Sequence, residues 1–221
     1  MSNERPAPTA VKDRVLILDV GGVILAEGAL SQMFRALAEH WGLTPEQVES
    51  HYRHHLRDDL WSGSLKEPDF WRRLGGYCGT DLDPEVWRRF LIARWTPLPA
   101  ATRLSEWHER AEIWILSNHR GEWLRPMLEE HQLLGYFDRL FVSSEFGGVK
   151  PGPAAFRPVL AGLEGRQALF VDDQLSNVRA ATRLGLRAMQ ATGAHWQDRV
   201  DHFVGSPLGM PAPRQAAALG V

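Results

Sequence analysis

The sequence predicts an α/β protein: a mostly parallel sheet with helices on both faces, and a long helical stretch inserted after the first strand. Three observations predict it. Short apolar runs recur at Val15–Leu18, Ile113–Leu116, Phe141–Val142 and Leu169–Val171, and Leu186–Ala191 reads as a last core strand. Such continuous runs are what strands buried on both faces look like. Helical patterns separate the later runs, and strand–helix alternation implies right-handed crossovers in a parallel sheet. Between the first and second runs, residues 28–100 carry helical patterns only.

Taken in order, residues 1–12 are polar and proline-bearing, and residues 206–221 hold Ser, Pro, Gly and Ala, so both ends are expected to be flexible. The first strand delivers Asp19 into the turn Val20-Gly21-Gly22. In the inserted stretch, Thr44-Pro45-Glu46-Gln47 is a helix start, with a hydroxyl N-cap, Pro in the first turn and Gln three residues on. Pro68 and Pro84 begin two further helices, whose apolar faces carry Phe70, Trp71 and Leu74, then Trp87, Phe90 and Leu91. Trp41, Trp61, Trp71, Trp87 and Trp95 crowd this region and are read as core and inter-domain contacts. His51, His54 and His55 share a helical spacing but lack a companion Cys or an arranged carboxylate, and are read as facing solvent. After Lys150 one helix is expected over Pro151–Gly162 and another over Asn177–Leu184, with Gly185 as its left-handed cap. The division that follows is a core of residues 13–27 and 101–205 around a helical domain of residues 28–100.

Four of the strands end in residues that carry chemistry. The first ends at Asp19, the second at Ser117-Asn118-His119, the third at the glycine loop that presents Lys150, and the fourth at Asp172-Asp173. Singly, each has an ordinary reading: turn former, helix cap or solvated lysine. Their recurrence at the carboxyl ends of strands, where open α/β sheets bind ligands, points to one site. Adjacent carboxylates are costly unless a cation or proton offsets them.

With Asp19, Ser117, Lys150 and Asp172-Asp173 in that order, the chain resembles the haloacid dehalogenase superfamily of hydrolases over about residues 13–195. The resemblance implies a Rossmann-like core with a helical cap that closes over the site and selects small substrates. It implies that Asp19 is the nucleophile, forming an aspartyl intermediate. Ser117, helped by the Asn118 amide, would bind the transferring phosphoryl group, and Lys150 would offset charge between nucleophile and phosphate. Asp19, the Gly21 carbonyl, Asp172 and Asp173 would hold Mg2+, a hard cation suited to oxygen ligands. The partner so implied is a small phosphorylated molecule.

One position departs from the pattern. Many phosphatases of that superfamily carry a general acid/base Asp two residues after the nucleophile, where this chain has Gly21. General acid–base catalysis contributes typically about 10²–10⁴-fold, so a good leaving group, an assisting substrate or another residue is required. His119 and Glu27 are the candidate substitutes. The segment Asp19-Val20-Gly21-Gly22-Val23 resembles a subgroup with an Asp-x-Gly-Gly-Val motif that includes sugar-phosphate phosphatases. A 2-haloacid dehalogenase needs neither the second Asp nor a metal and is the enzymatic alternative, opposed by the Asp172-Asp173 pair; Arg35, its candidate carboxylate-binding arginine, sits on a predicted helix face. A catalytically impaired binding protein is the alternative outside enzymes.

Composition narrows the partners. A net charge of −2 gives no electrostatic reason to expect nucleic acid, and Arg72-Arg73 and Arg88-Arg89 read as solvated faces. The single Cys78 excludes an intrachain disulfide. No signal-peptide pattern is present in the first thirty residues, and no apolar run approaches the roughly 20 residues needed to cross a bilayer. A cytoplasmic enzyme with no membrane association is the expectation, and oligomeric state is left open.

Overall fold

The computed structural model describes residues 12–26 and 28–205, so Glu27 and nearly all of the expected terminal tails lie outside the described residues. β1 (Arg14–Leu18) is followed by five helices, α1 (Ala29–Trp41), α2 (Pro45–His55), α3 (Arg57–Ser62), α4 (Glu67–Cys78) and α5 (Pro84–Ile92). A 3₁₀ turn (Pro99–Arg103) leads into α6 (Leu104–Arg110), β2 (Glu112–Ser117), α7 (Gly121–Glu130), β3 (Arg139–Val142) and the single turn α8 (Ser143–Phe146). The chain ends with α9 (Arg157–Gly162), β4 (Gln167–Asp172), α10 (Leu175–Arg183), β5 (Arg187–Gln190) and α11 (Trp196–Gly205). The five strands are parallel in the order β3-β2-β1-β4-β5, as the alternation predicts.

All five residues of β1 are buried, and alternation sends them to opposite faces. Leu16 and Leu18 join Ile113 and Ile115 against α6, α7 and α11, through Trp107, Leu124, Met127, Val200 and Phe203. Val15 and Ile17 join Trp114 and Leu116 against α9 and α10, through Phe156, Val159, Ala180 and Ala181. The result is three layers. Burying one such side chain completely stabilises by about 1.5–3 kcal/mol relative to exposure, so the aliphatic strands fix the sheet between its two helical layers.

Helices α1–α5 bury a cluster of their own, which includes Met33, Phe34, Tyr52, Phe70 and Trp71 and takes in Trp123 from α7. The predicted cap of α2 is complete: Thr44 Oγ1 accepts from Gln47 N (3.3 Å) and Gln47 Oε1 from Thr44 N (2.8 Å). The two chain segments joining these helices to the sheet pair with each other. Ala26 N donates to Thr96 O and Leu98 N to Ile24 O, both at 2.8 Å.

Three further polar ties run from these helices to the layers around the sheet. Buried Glu67 accepts from Trp71 (3.1 Å), from Arg88 (2.9 and 2.6 Å) and from Trp123 of α7 (2.7 Å). Buried Arg120 donates to the Leu60 and Leu65 carbonyls at 3.2 and 2.8 Å. The Ser143 hydroxyl donates to Trp61 O at 2.6 Å.

Four expectations need correction. Pro151–Gly162 is not one helix: a 3₁₀ turn (Pro153–Ala155) precedes α9. Pro158 has no N–H to bond to a preceding turn and sits in the first turn of α9, where proline is tolerated best. The third strand does not lead straight to a glycine loop, because α8 intervenes. The helix expected from Asn177 begins at Leu175, while Gly185 takes the expected left-handed φ of +87° and Leu186 N closes on Ala181 O at 3.1 Å. Arg88 is not on a solvated face; it is half-buried and paired with Glu67, whereas Arg35, Arg72, Arg73 and Arg89 are exposed.

Candidate active site

The parallel register places the ends of β1, β2 and β4 together. Leu18 pairs with Ile115 on one side and Val171 on the other, so Asp19, Ser117 and Asp172 emerge at the same sheet edge. Asp19 N still donates to Val171 O (2.9 Å), which carries the strand pairing one residue further. The chain then turns sharply, with the N–H groups of Val23, Ile24 and Leu25 all directed at Val20 O at 3.3, 2.9 and 2.9 Å. Gly22 has φ +69°, and a Cβ there would lie 2.7 Å from Asp173 Cγ. Only a residue without a side chain lets this loop and the Asp173 carboxylate meet.

At the centre, Lys150 bridges two carboxylates. Its Nζ is 3.0 Å from Asp19 Oδ2 and 2.6 Å from Asp172 Oδ2. Asp172 is wholly buried, Asp19 is 7 % exposed and Lys150 4 %. Asp19 Oδ1 accepts from Val20 N at 2.7 Å. Asp172 is held further by Gln174 N (2.8 Å) and by Asn177 Nδ2, at 2.9 and 3.0 Å from its two oxygens. Burial, countered by Lys150 and reinforced by Asp172, pushes the Asp19 carboxyl up to about 6. Burial presses on Lys150 in the opposite sense, but Asp19 and Asp172 outweigh it and hold the ammonium above the ordinary lysine range.

Carboxylate oxygens of Asp19, Asp172 and Asp173 lie within 4.8 Å of one another. With all three ionised and one ammonium beside them, the set retains an excess negative charge, which a divalent cation offsets. Oxygen-only donors suit Mg2+, and the Gly22 cradle keeps Asp173 against the loop that bears Asp19, so the residues present fit that ion. Among the described residues, no main-chain N–H is bonded to the Gly21 carbonyl.

Ser117 is 3 % exposed, and its hydroxyl is bonded to no described residue. Asn118 turns to the Lys150 peptide: its Nδ2 donates to Lys150 O (2.9 Å) and its Oδ1 accepts from Lys150 N (2.8 Å). His119 is buried among Trp61, Trp95 and Trp123, with ring centroids 5.5, 5.8 and 6.2 Å away, and its Nδ1 faces Arg120 O at 3.1 Å. Burial lowers its pKa to about 4, so the imidazole is uncharged at neutral pH. Glu27, the other substitute acid expected from sequence, lies outside the described residues.

Two side chains central to this geometry escaped the sequence reading. Asn177 sits one turn into α10 with both Asp172 oxygens in reach, and its own Oδ1 is buried without a partner. Ser143, at the end of β3, accepts from His119 N (3.0 Å) as well as donating to Trp61 O. The available signal was a small polar residue where an apolar run or an acidic pair gives way to a helix.

A family model described as haloacid dehalogenase-like hydrolase matches residues 14–185. The chain is 24% identical over 206 residues to D-ribitol-5-phosphate phosphatase of Bacteroides thetaiotaomicron, covering 86% of this chain and 98% of that one. It is 30% identical over 119 residues to phosphoglycolate phosphatase 1 of Pseudomonas aeruginosa, covering 52% of this chain and 41% of that one. A solved HAD family enzyme from B. thetaiotaomicron, in complex with magnesium and inorganic phosphate, superposes with a TM-score of 0.69 at 18% identity, over 86% of this chain and 99% of that one.

Proposed function

Because the chain belongs to the haloacid dehalogenase-like hydrolases, we propose that it is a magnesium-dependent phosphatase of a small phosphorylated metabolite, such as a sugar or polyol phosphate. The observation that carries this reading is the bridging of Asp19 and Asp172 by Lys150, with Asp173 beside them. Similarity along nearly the whole length of D-ribitol-5-phosphate phosphatase favours a phosphorylated polyol or sugar over other substrates. The same reading divides the molecule into a core of residues 13–27 and 101–205 and a cap of residues 28–100.

In this mechanism the Asp19 carboxylate attacks phosphorus. An Oδ–P bond forms, the bond from phosphorus to the substrate oxygen breaks, and that oxygen leaves with the electron pair. Val20 N–H and Lys150 hold the attacking group in place, and the Lys150 ammonium lessens repulsion between carboxylate and phosphate. The Ser117 hydroxyl and the Asn118 N–H are assigned to the phosphoryl oxygens. Water then attacks the aspartyl phosphate, releasing inorganic phosphate and restoring Asp19. Bound through Asp19, Asp172, Asp173 and the Gly21 carbonyl, Mg2+ supplies charge neutralisation at the phosphoryl group.

Gly21 offers no proton to the leaving oxygen, and an uncharged His119 is a poor acid at neutral pH. The reading therefore assigns that proton to solvent, to the substrate itself or to Glu27, and favours substrates whose leaving group tolerates it. A dehalogenase site that binds an organic carboxylate without metal has no use for Asp173 held against the Asp19 loop.

The test is phosphate release from a panel of phosphorylated sugars, polyols and small acids, with and without Mg2+, beside Asp19→Asn. Magnesium-dependent release, lost in the variant, is the expected result. Turnover that survives Asp19→Asn would remove Asp19 as nucleophile. Release of halide from 2-haloacids, or phosphate binding without turnover across the panel, would replace the phosphatase reading.

A further inference from the structure

Outside the acidic site, the densest group of metal-ligating side chains lies on the last turns of α2. His51, His54 and His55 stand at i, i+3 and i+4, which places them on one helix face. They line an open groove of about 500 Å³ together with Glu46, Ser50 and Tyr77 of α4. The ring centroids of His51 and His55 are 5.0 Å apart, and those of His54 and His55 6.4 Å.

Two features order these rings beyond what loose surface histidines show. Tyr77 stacks on His51 at 3.9 Å with planes 7° apart, which fixes that ring from the facing helix. His54 Nδ1 lies 2.7 Å from Ser50 O. A carbonyl only accepts, so Nδ1 bears a proton, and in the neutral ring Nε2 then presents its lone pair, which is the arrangement of a metal-bound histidine whose other nitrogen is tied to a backbone carbonyl.

We propose that this groove binds one imidazole-preferring divalent transition ion, of the Ni2+, Cu2+ or Zn2+ class, with His51 and His55 as a chelating pair and His54 as third donor. Two histidines at i, i+4 on one helix face are a known way of holding a single metal ion. Imidazole selects these ions, whereas the carboxylates of the sheet edge suit Mg2+, so donor chemistry separates the two sites. Among the described residues, only Asp19, Asp172 and Asp173 already bring three such ligand atoms within 4.8 Å of one another. Tyr77 holds the His51 ring in place, and the exposed His55 ring converges on it by side-chain rotation. This inference is independent of the phosphatase reading.

The experiment uses the full chain in excess Mg2+, with Ni2+ titrated calorimetrically and Cu2+ followed by electron paramagnetic resonance. The expected result is one Ni2+ per chain and a Cu2+ spectrum with nitrogen splitting. Affinity should fall at least tenfold in His51→Ala/His55→Ala, by a smaller factor in His54→Ala, and not at all in Asp173→Asn. Absence of Ni2+ binding to the wild-type chain, undiminished binding in the double variant, or a Cu2+ spectrum without nitrogen splitting would overturn the proposal. Unchanged affinity in His54→Ala would remove the third donor. Circular dichroism, and magnesium-dependent activity where the wild-type chain has it, should match wild type in the double variant and so report an intact fold.

Discussion

The side-chain amide of Asn118 closes on both polar groups of the Lys150 peptide, donating to its carbonyl at 2.9 Å and accepting from its N–H at 2.8 Å. The lysine that bridges Asp19 and Asp172 is thereby anchored through its main chain by the strand that carries Ser117. Asn118→Ala should lower kcat while leaving the fold, and cost about 1–3 kcal/mol for the partners left unpaired. Steady-state kinetics and urea unfolding check it. Undiminished kcat would show that Lys150 keeps its place without the clamp.

Gly21 differs from its neighbour in backbone: Gly22 has φ +69°, while Gly21 is not among the glycines with positive φ. An L-residue at 21 therefore carries no left-handed backbone strain. Gly21→Asp should raise kcat on substrates with poor alkoxide leaving groups, within the roughly 10²–10⁴-fold range of general acid–base catalysis, and change little for good leaving groups. Rates across leaving groups of graded pKa read this directly.

Gly22→Ala should do the reverse. The added methyl would stand 2.7 Å from Asp173 Cγ, in a left-handed conformation that costs an L-residue about 1–2 kcal/mol. The Mg2+ concentration giving half-maximal activity should rise and the midpoint of thermal unfolding should fall. An unchanged magnesium requirement would separate Asp173 from metal binding.

Acid should destabilise the protein through His119. Its pKa in the folded state is about 4, below the ordinary value of 6.5, so between those values the unfolded chain binds more protons and stability falls as pH falls. This contribution is complete above about pH 6.5 and amounts to at most about 3 kcal/mol. Burial is outweighed at Glu67 by its bonds from Arg88 and the two tryptophans, which hold its pKa below the carboxylate range, so its contribution is lost in the same direction at lower pH. Asp19, raised from the ordinary 3.8 to about 6, takes up its proton in the folded state over an overlapping range and opposes this slope, so urea unfolding from pH 7.5 to 4.5 should show the His119 contribution as the difference between the wild-type chain and His119→Phe.

What the sequence revealed and what it hid divide along range. β1, β2 and β4 were legible because each is an apolar run that gives way to Asp19, Ser117 or Asp172. Local devices were legible too: the Thr44–Gln47 box and the Gly185 cap each depend on residues within a few positions. The hidden contacts join distant residues, as in Asn118 with Lys150 and Glu67 with Arg88 and Trp123. No local period encodes such pairs. The break in Pro151–Gly162 was local as well: Pro153 opens the 3₁₀ turn and Pro158 the first turn of α9, each at a helix start where proline is favoured.

The paired segments at Ala26–Thr96 and Ile24–Leu98 join the two covalent connections of α1–α5 into one hydrogen-bonded ribbon. Two independent tethers would resist tilting in two places; one hydrogen-bonded ribbon resists it in one. Elsewhere the same helices are fastened by the carboxylate of Glu67, the guanidinium of Arg120 and the hydroxyl of Ser143, beside the packing of Trp123 into their cluster. A tilt of these helices about the ribbon would break those bonds and that packing while leaving the pairing of the sheet intact.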